Sequence, residues 1–324
     1  MKKIFIAVMI GAMLLSGCAT SDEKKTGANP NENKEGMSTV DASDKIMTEY
    51  DDLLKQDVKP AEVVHFVDNS IEKVSIEAAD EMIRGLEAFQ KPYEEKYMNA
   101  FFEEGMEERL IQALGYAFEK SALNEVKDEE VKALLTEVLD GGYKLVNLEG
   151  MYYPMMDYSI YKKYAGYLSE AMKDYIDLMA MESDKLMARD AGLSISWDEL
   201  AERALKVEAF LVTYPNTPME KTVVQRYKSY LGTYMTGLDN TPIFDWNAYI
   251  QSNIYKVSEE ILDKYHKTID ANKNTITAKT MEKYIELLEK NDFQLPYEKE
   301  SELQKFNDAR YGLLEKAIQD LSAE

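Results

Sequence analysis

From about Asp41 to the C-terminus, apolar residues recur at intervals of three and four, and strand-like alternation is almost absent. The stretch VSEEILDKYHKTI sets Ile261, Leu262, Tyr265 and Ile269 on one face. LQKFNDARYGLLEKAIQDL repeats the arrangement with Leu303, Phe306, Leu313, Ala317 and Leu321. Such spacing matches the 3.6-residue turn of an amphipathic helix. Ser196-Trp197-Asp198-Glu199 and Thr217-Pro218-Met219-Glu220 read as capping boxes, the second with Pro where its missing N–H costs nothing. Gly141-Gly142 and the YPNTP segment, 214–218, read as stops. The pattern predicts an all-α body, a bundle or array of roughly nine to eleven helices joined by short loops. EKTVVQRYKSYL and AKTMEKYIELL share a K-T-x-x-x-[RK]-Y spacing, too common on amphipathic helices to establish a repeat. A weak sub-boundary falls at LDNTPIFDW, 238–246, where Asn240, Thr241 and Asp245 read as a turn and helix cap rather than a polar site.

Against this pattern, three acids stand in phase with apolar stripes. If residues from Asp157 to Leu186 form one helix, its stripe runs Tyr161, Tyr164, Leu168, Met172, Tyr175 and Met179, and its next member is Glu182. Glu208 lies between Ala201, Leu205 and Val212. Glu149 shares a helical face with Leu145, Leu148 and Tyr152, just ahead of a break at Pro154. An inward carboxylate is costly unless it is paired or hydrogen-bonded. Arg203, Arg226 and an abundance of tyrosine hydroxyls are the available partners, and Arg is used only six times in the chain.

Two readings follow. In one, Glu149, Tyr152, Tyr153, Glu182, Arg203, Glu208 and Arg226 line a polar pocket between helices, where aromatic faces stack on a ligand and a few polar groups orient it. In the other, the same residues form internal ion pairs and Tyr–Glu hydrogen bonds that fix helix register. Met-rich pieces such as MYYPMM and YIDLMAMESDKLM suit an adaptable groove, but methionine at helical spacing is ordinarily core.

Charge and composition narrow the chemistry. Sixty acids against 38 bases give a net charge of −22, which disfavours a nucleic-acid groove. The two histidines, His65 and His266, lack the paired Glu-x-x-His motifs of a di-iron bundle, and no stretch has the spacing of an EF-hand loop. No G-x-S-x-G motif or glycine-rich phosphate loop is present. Neither a metal site nor a cofactor is therefore expected. The single cysteine, Cys18, leaves the body without a disulfide or a thiol nucleophile.

The first residues carry the most specific signal. MKK forms a positive start, IFIAVMIGAMLL an apolar run too short to span a bilayer comfortably, and Leu15-Ser16-Gly17-Cys18 follows at once. This stretch resembles the lipobox of bacterial lipoproteins. The resemblance implies removal of residues 1–17, diacylation of Cys18, and retention on the extracytoplasmic face of the cell membrane. Residues 18–40, polar and free of aromatics, read as a disordered tether with a reach on the order of 25 Å. Residues 41–324 form the helical body. Within it, EGMYYPMMDYSIYKKY, ISWDELAERALKVEAFL and GLDNTPIFDW resemble stretches of uncharacterised exported proteins of Gram-positive bacteria, a likeness that implies no activity. The expected function is non-catalytic binding or cell-envelope interaction, with a small polar ligand, sugar or peptide as partner. A carboxylate-dependent hydrolase of envelope material and a purely structural assembly partner are the alternatives.

Overall fold

The computed structural model describes residues 39–115, 120–245, 250 and 254–321. The leader, Cys18, most of the proposed tether and Trp246 lie outside these residues. Short polar side chains set the helix starts. Ser75 Oγ accepts a hydrogen bond from Ala78 N (3.2 Å), Asp128 Oδ1 from Glu130 N and Val131 N (both 3.2 Å), and Ser169 Oγ from Met172 N (3.2 Å). Ser196 Oγ accepts from Glu199 N (3.1 Å) and Thr275 Oγ1 from Ala278 N (3.0 Å). Each satisfies a donor that the first helical turn leaves unpaired.

The fold is all-α, with eleven α-helices among the described residues. The first five are α1 (Thr39–Leu54), α2 (Pro60–Ser70), α3 (Ile76–Phe101), α4 (Met106–Leu114) and α5 (Glu129–Asp140). A hairpin of β1 (Tyr143–Leu148) and β2 (Met151–Met156) follows, then a 3₁₀ segment (Tyr158–Tyr167) and α6 (Glu170–Asp184). The remaining helices are α7 (Trp197–Thr213), α8 (Glu220–Thr236), α9 (Glu259–Ala271), α10 (Ile276–Glu289) and α11 (Glu300–Leu321). The hairpin packs on α3, α4 and α5; α6 packs on the 3₁₀ segment and α7; α7 pairs with α8; and α11 closes on α8 and α10. One contiguous apolar cluster runs from Tyr50 to Leu321. No helix among the described residues is long and apolar enough to cross a membrane.

Three local expectations are corrected. First, Leu145, Leu148, Glu149 and Tyr152 do not share a helical face. They belong to the antiparallel hairpin, in which Leu148 pairs with Met151 and Leu145 with Pro154. Glu149 (φ 52°) and Gly150 (φ 88°) form its two-residue turn, with positive φ at both positions as a type I′ turn demands. Tyr152, Pro154 and Met156 face inward in strict alternation. Second, 157–186 is not one helix: Leu168 is extended, and Ser169 opens a new helix. The proposed stripe is nevertheless buried throughout from Tyr161 to Met179. Third, the second capping box does not form. The Glu220 carboxylate accepts from Asn216 N (2.9 Å) rather than Thr217, whose buried hydroxyl has no hydrogen-bond partner.

Two short ladders lie in the region 237–257, Gly237–Leu238 with Thr241–Pro242 and Phe244–Asp245 with Lys256–Val257; residues 246–249 and 251–253 between them lie outside the described residues. Asn240 donates through its side chain to Asp190 O and through its backbone to Ala191 O, and Thr241 Oγ1 accepts from Leu193 N (3.0 Å). Asn240 and Thr241 tie the hairpin of Ala188–Arg189 and Gly192–Leu193 to the next one; the residues that Asp245 was expected to cap lie outside the described residues.

Tyrosine dominates the largest buried side chains. Tyr50, Tyr161, Tyr227, Tyr230, Tyr234, Tyr265 and Tyr284 are each at most 1% exposed. Burial raises their phenol pKa values, to about 12 for Tyr230, Tyr234 and Tyr284 and further for the others. Below about pH 10 the folded and unfolded chains hold these protons equally, so stability is unaffected. Above it the unfolded chain releases protons that the fold retains, and stability falls. Alkaline titration is therefore expected to ionise the buried set in one step above pH 10, coincident with loss of helical circular dichroism. Tyrosinate absorbance that rises smoothly while helicity persists would contradict this packing.

Candidate functional site

Where α3, α6 and α8 approach one another, each presents residues three or four apart, which share a helix face. Lys91 and Glu94 come from α3, Met179, Glu182 and Ser183 from α6, and Thr222, Gln225 and Arg226 from α8. Met155 and Met156 of β2 and Tyr158 close the ring around a cleft of about 270 Å³. Its walls thus combine three thioethers with charges of both signs.

Behind the α3 wall lies a buried polar network. Glu87 Oε1 accepts from the hydroxyls of Tyr158 (2.8 Å) and Tyr175 (2.7 Å) and faces Lys91 Nζ at 3.1 Å. Burial, with Glu87 beside them, holds both phenols protonated far above their ordinary range. One turn on, the Gln90 side-chain amide donates to Gly141 O (2.6 Å) and accepts from the Tyr161 hydroxyl, and the Gln90 backbone carbonyl accepts from Tyr143 Oη (2.6 Å). Gly142 is required here: its φ is 87°, and an added Cβ would stand 2.5 Å from Gln90 Nε2. Glu94 Oε1 accepts from Met156 N (2.8 Å), which anchors β2 to the helix.

A second network holds the α6 wall. Glu182 accepts from Met187 N (3.0 Å), Arg203 Nη1 (3.1 Å) and Tyr230 Oη (2.9 Å). Arg203 also donates to Lys185 O (2.9 Å) and Glu199 (2.7 Å), and its side chain is only 4% exposed. The Glu182 carboxylate and both terminal nitrogens of Arg203 are thus engaged by the fold. Arg226 differs: among the described residues it forms no hydrogen bond or ion pair, although it lies half-buried in the cleft wall.

The seven residues expected to share a pocket are therefore divided. Glu182 and Arg226 meet at the cleft, and Arg203 stands behind Glu182. Tyr152 packs inside the hairpin, donating to Gly115 O (3.2 Å), and Tyr153 lies against the Phe102 ring. Glu149 is exposed at the hairpin tip, and Val212, expected to flank Glu208, is 48% exposed. Glu208 is buried elsewhere, accepting from Ile276 N (2.6 Å) and Thr277 N (2.8 Å) at the start of α10. There it satisfies two unpaired donors and places a negative charge against the helix dipole. The three glutamates do not converge on one cavity, and the three-acid pocket is corrected to the cleft carrying Glu182 and Arg226.

Sequence reasoning passed over Glu87, Gln90, Lys91 and Glu94. The signal was present: Glu87 and Gln90 stand in phase with Ile83, Leu86, Tyr93 and Tyr97, the same rule that singled out Glu182. His65 and His266 are both exposed, and no group of three metal-ligating side chains converges among the described residues. Comparison with protein-family models, curated proteins and solved structures finds no match.

Removing the Glu208 carboxylate leaves two buried N–H groups without acceptors. Glu208→Ala is expected to cost about 2–3 kcal/mol, whereas Glu149→Ala at the exposed turn should stay within ~0.5 kcal/mol. Urea denaturation of the two variants measures both. Equal costs would show that Glu208 does not secure α10.

Proposed function

We propose that this chain is a lipid-anchored, extracytoplasmic binding module whose ligand site is the cleft between α3, α6 and α8. The observation that carries the reading is Arg226. Its guanidinium lines the cleft with no hydrogen-bond or ion-pair partner among the described residues, so its planar set of donors is open to an acceptor from outside the chain. A bound ligand supplies that acceptor. The mixed wall supports the same reading: methionines accommodate varied apolar groups, while Thr222, Gln225 and Glu94 offer polar contacts that fix orientation. The networks around Glu87 and Glu182 lock the walls before a ligand arrives, which reduces the ordering cost of binding.

A hydrolase of envelope material is less well supported. Two-carboxylate chemistry requires an acid and a base with oxygens free to reach the substrate. Glu182 has both oxygens occupied by structural donors, and Glu149 and Glu208 lie away from the cleft. Membrane attachment is proposed from the lipobox resemblance at Leu15–Cys18, and the polar residues after it are proposed to give the body freedom to turn at the surface.

Two measurements test the proposal. Cys18→Ser should move the protein from the membrane fraction to the soluble fraction; unchanged membrane retention would refute the lipid anchor. A thermal-shift screen of peptides, sugars and cell-wall fragments should raise Tm for at least one class, and Arg226→Gln should abolish that rise. No response from any class would refute the binding module.

A further inference from the structure

The arrangement of charge in and beside the cleft narrows the ligand, given the binding reading above. We propose that the cleft takes a short peptide with a free C-terminal carboxylate, the carboxylate on Arg226 and an ammonium group on Glu94. Arg226 projects from the α8 side with its donors unused, and a planar guanidinium matches a carboxylate in bidentate geometry. On the α3 side, Glu94 gives one oxygen to Met156 N and keeps the other without a hydrogen-bond or ion-pair partner. The site thus offers one uncommitted cation and one uncommitted anion in about 270 Å³. A zwitterion satisfies both. A phosphate or other polyanion would gain Arg226 but meet Glu94 and Glu182 in a chain of net charge −22.

The neighbouring surface favours a peptide over a single amino acid. At Met155 and Ser183 the cleft adjoins a second hollow, also about 270 Å³, walled by β1 and the end of α6. Lys144, Asn147, Tyr152 and Arg189 line it. A ligand longer than one residue can extend from the cleft into this hollow, where polar side chains meet its backbone. The three methionines suit small apolar side chains of varied shape.

The test is titration calorimetry on the full-length chain in mild detergent, with trialanine, its C-terminal amide, its N-acetyl derivative and inorganic phosphate. Trialanine should bind, and both blocked forms should bind roughly tenfold or more weakly. Arg226→Gln should weaken trialanine to the level of the amide while leaving the unliganded Tm unchanged, since Arg226 bonds to nothing in the fold. Glu94→Gln retains the acceptor for Met156 N and should reduce discrimination against the N-acetyl form. Equal binding of trialanine and its amide, or tighter binding of phosphate, would overturn the assignment. So would silence from all peptides while a sugar or cell-wall fragment still raises Tm through Arg226, an outcome that keeps the binding module and rejects its peptide ligand. No response from any class removes both.

Discussion

The fold depends on keeping carboxylates inside a helical core without leaving them unpaired. An ionised acid removed from water costs several kcal/mol unless donors replace its hydration. Glu87 has two phenols and an ammonium, Glu182 a guanidinium, a phenol and a backbone N–H, and Glu208 two backbone N–H groups at a helix start. Each acid joins elements far apart in the chain: α3 to the 3₁₀ segment and α6, α6 to α7 and α8, and α7 to α10. The prevalence of buried tyrosine follows from the same need, because a phenol fills core volume like phenylalanine and still brings a donor to the carboxylate. Apolar burial provides the driving force, and these acids bridge the helices that it brings together.

The global pattern was legible because it is a matter of periodicity. Intervals of three and four identify helices whatever surrounds them, and Ser196 and Gly141 mark ends through local chemistry alone. The hairpin was not legible. Glu-Gly is a weaker turn signal than Asn-Gly or Asp-Gly, and Leu145, Leu148 and Tyr152 fit helical spacing as readily as strand alternation. Its identity is settled by tertiary contact, since Met156 N finds its acceptor on Glu94 and Tyr143 its acceptor on Gln90. The break at Ser169 has a local sign in the Ser-Glu pair that opens α6, set within an uninterrupted apolar stripe. Burial follows the stripe even where the backbone leaves the α-helix, so the inward residues were readable and the element was not.

For the site, phase was informative and convergence was not. Periodicity states that Glu149, Glu182 and Glu208 lie on apolar stripes; it cannot state which stripes face one another. For Glu149 even the phase was misleading, because a turn with positive φ carries the side chain into solvent. The omission of Glu87 and Gln90 has a different origin. Lys91 and Pro92 follow directly, and a proline inside a helix is uncommon, yet α3 continues through Pro92 to Phe101.

Arg203 and Arg226 show how one residue type serves two ends in the same neighbourhood. Arg203 is saturated by Glu182, Glu199 and the Lys185 carbonyl, and burial of its charge is balanced within the fold. Arg226 lies one turn before Tyr230 on α8, close enough to lower that phenol's pKa against the dominant effect of burial, and it has no such balance. Glu182 serves Arg203, Tyr230 and Met187 and makes no ion pair with Arg226. A structural role for Arg226 would require an acceptor that the described residues do not provide; an acceptor from outside the chain meets the same physical requirement, and the cleft beside it has room for one.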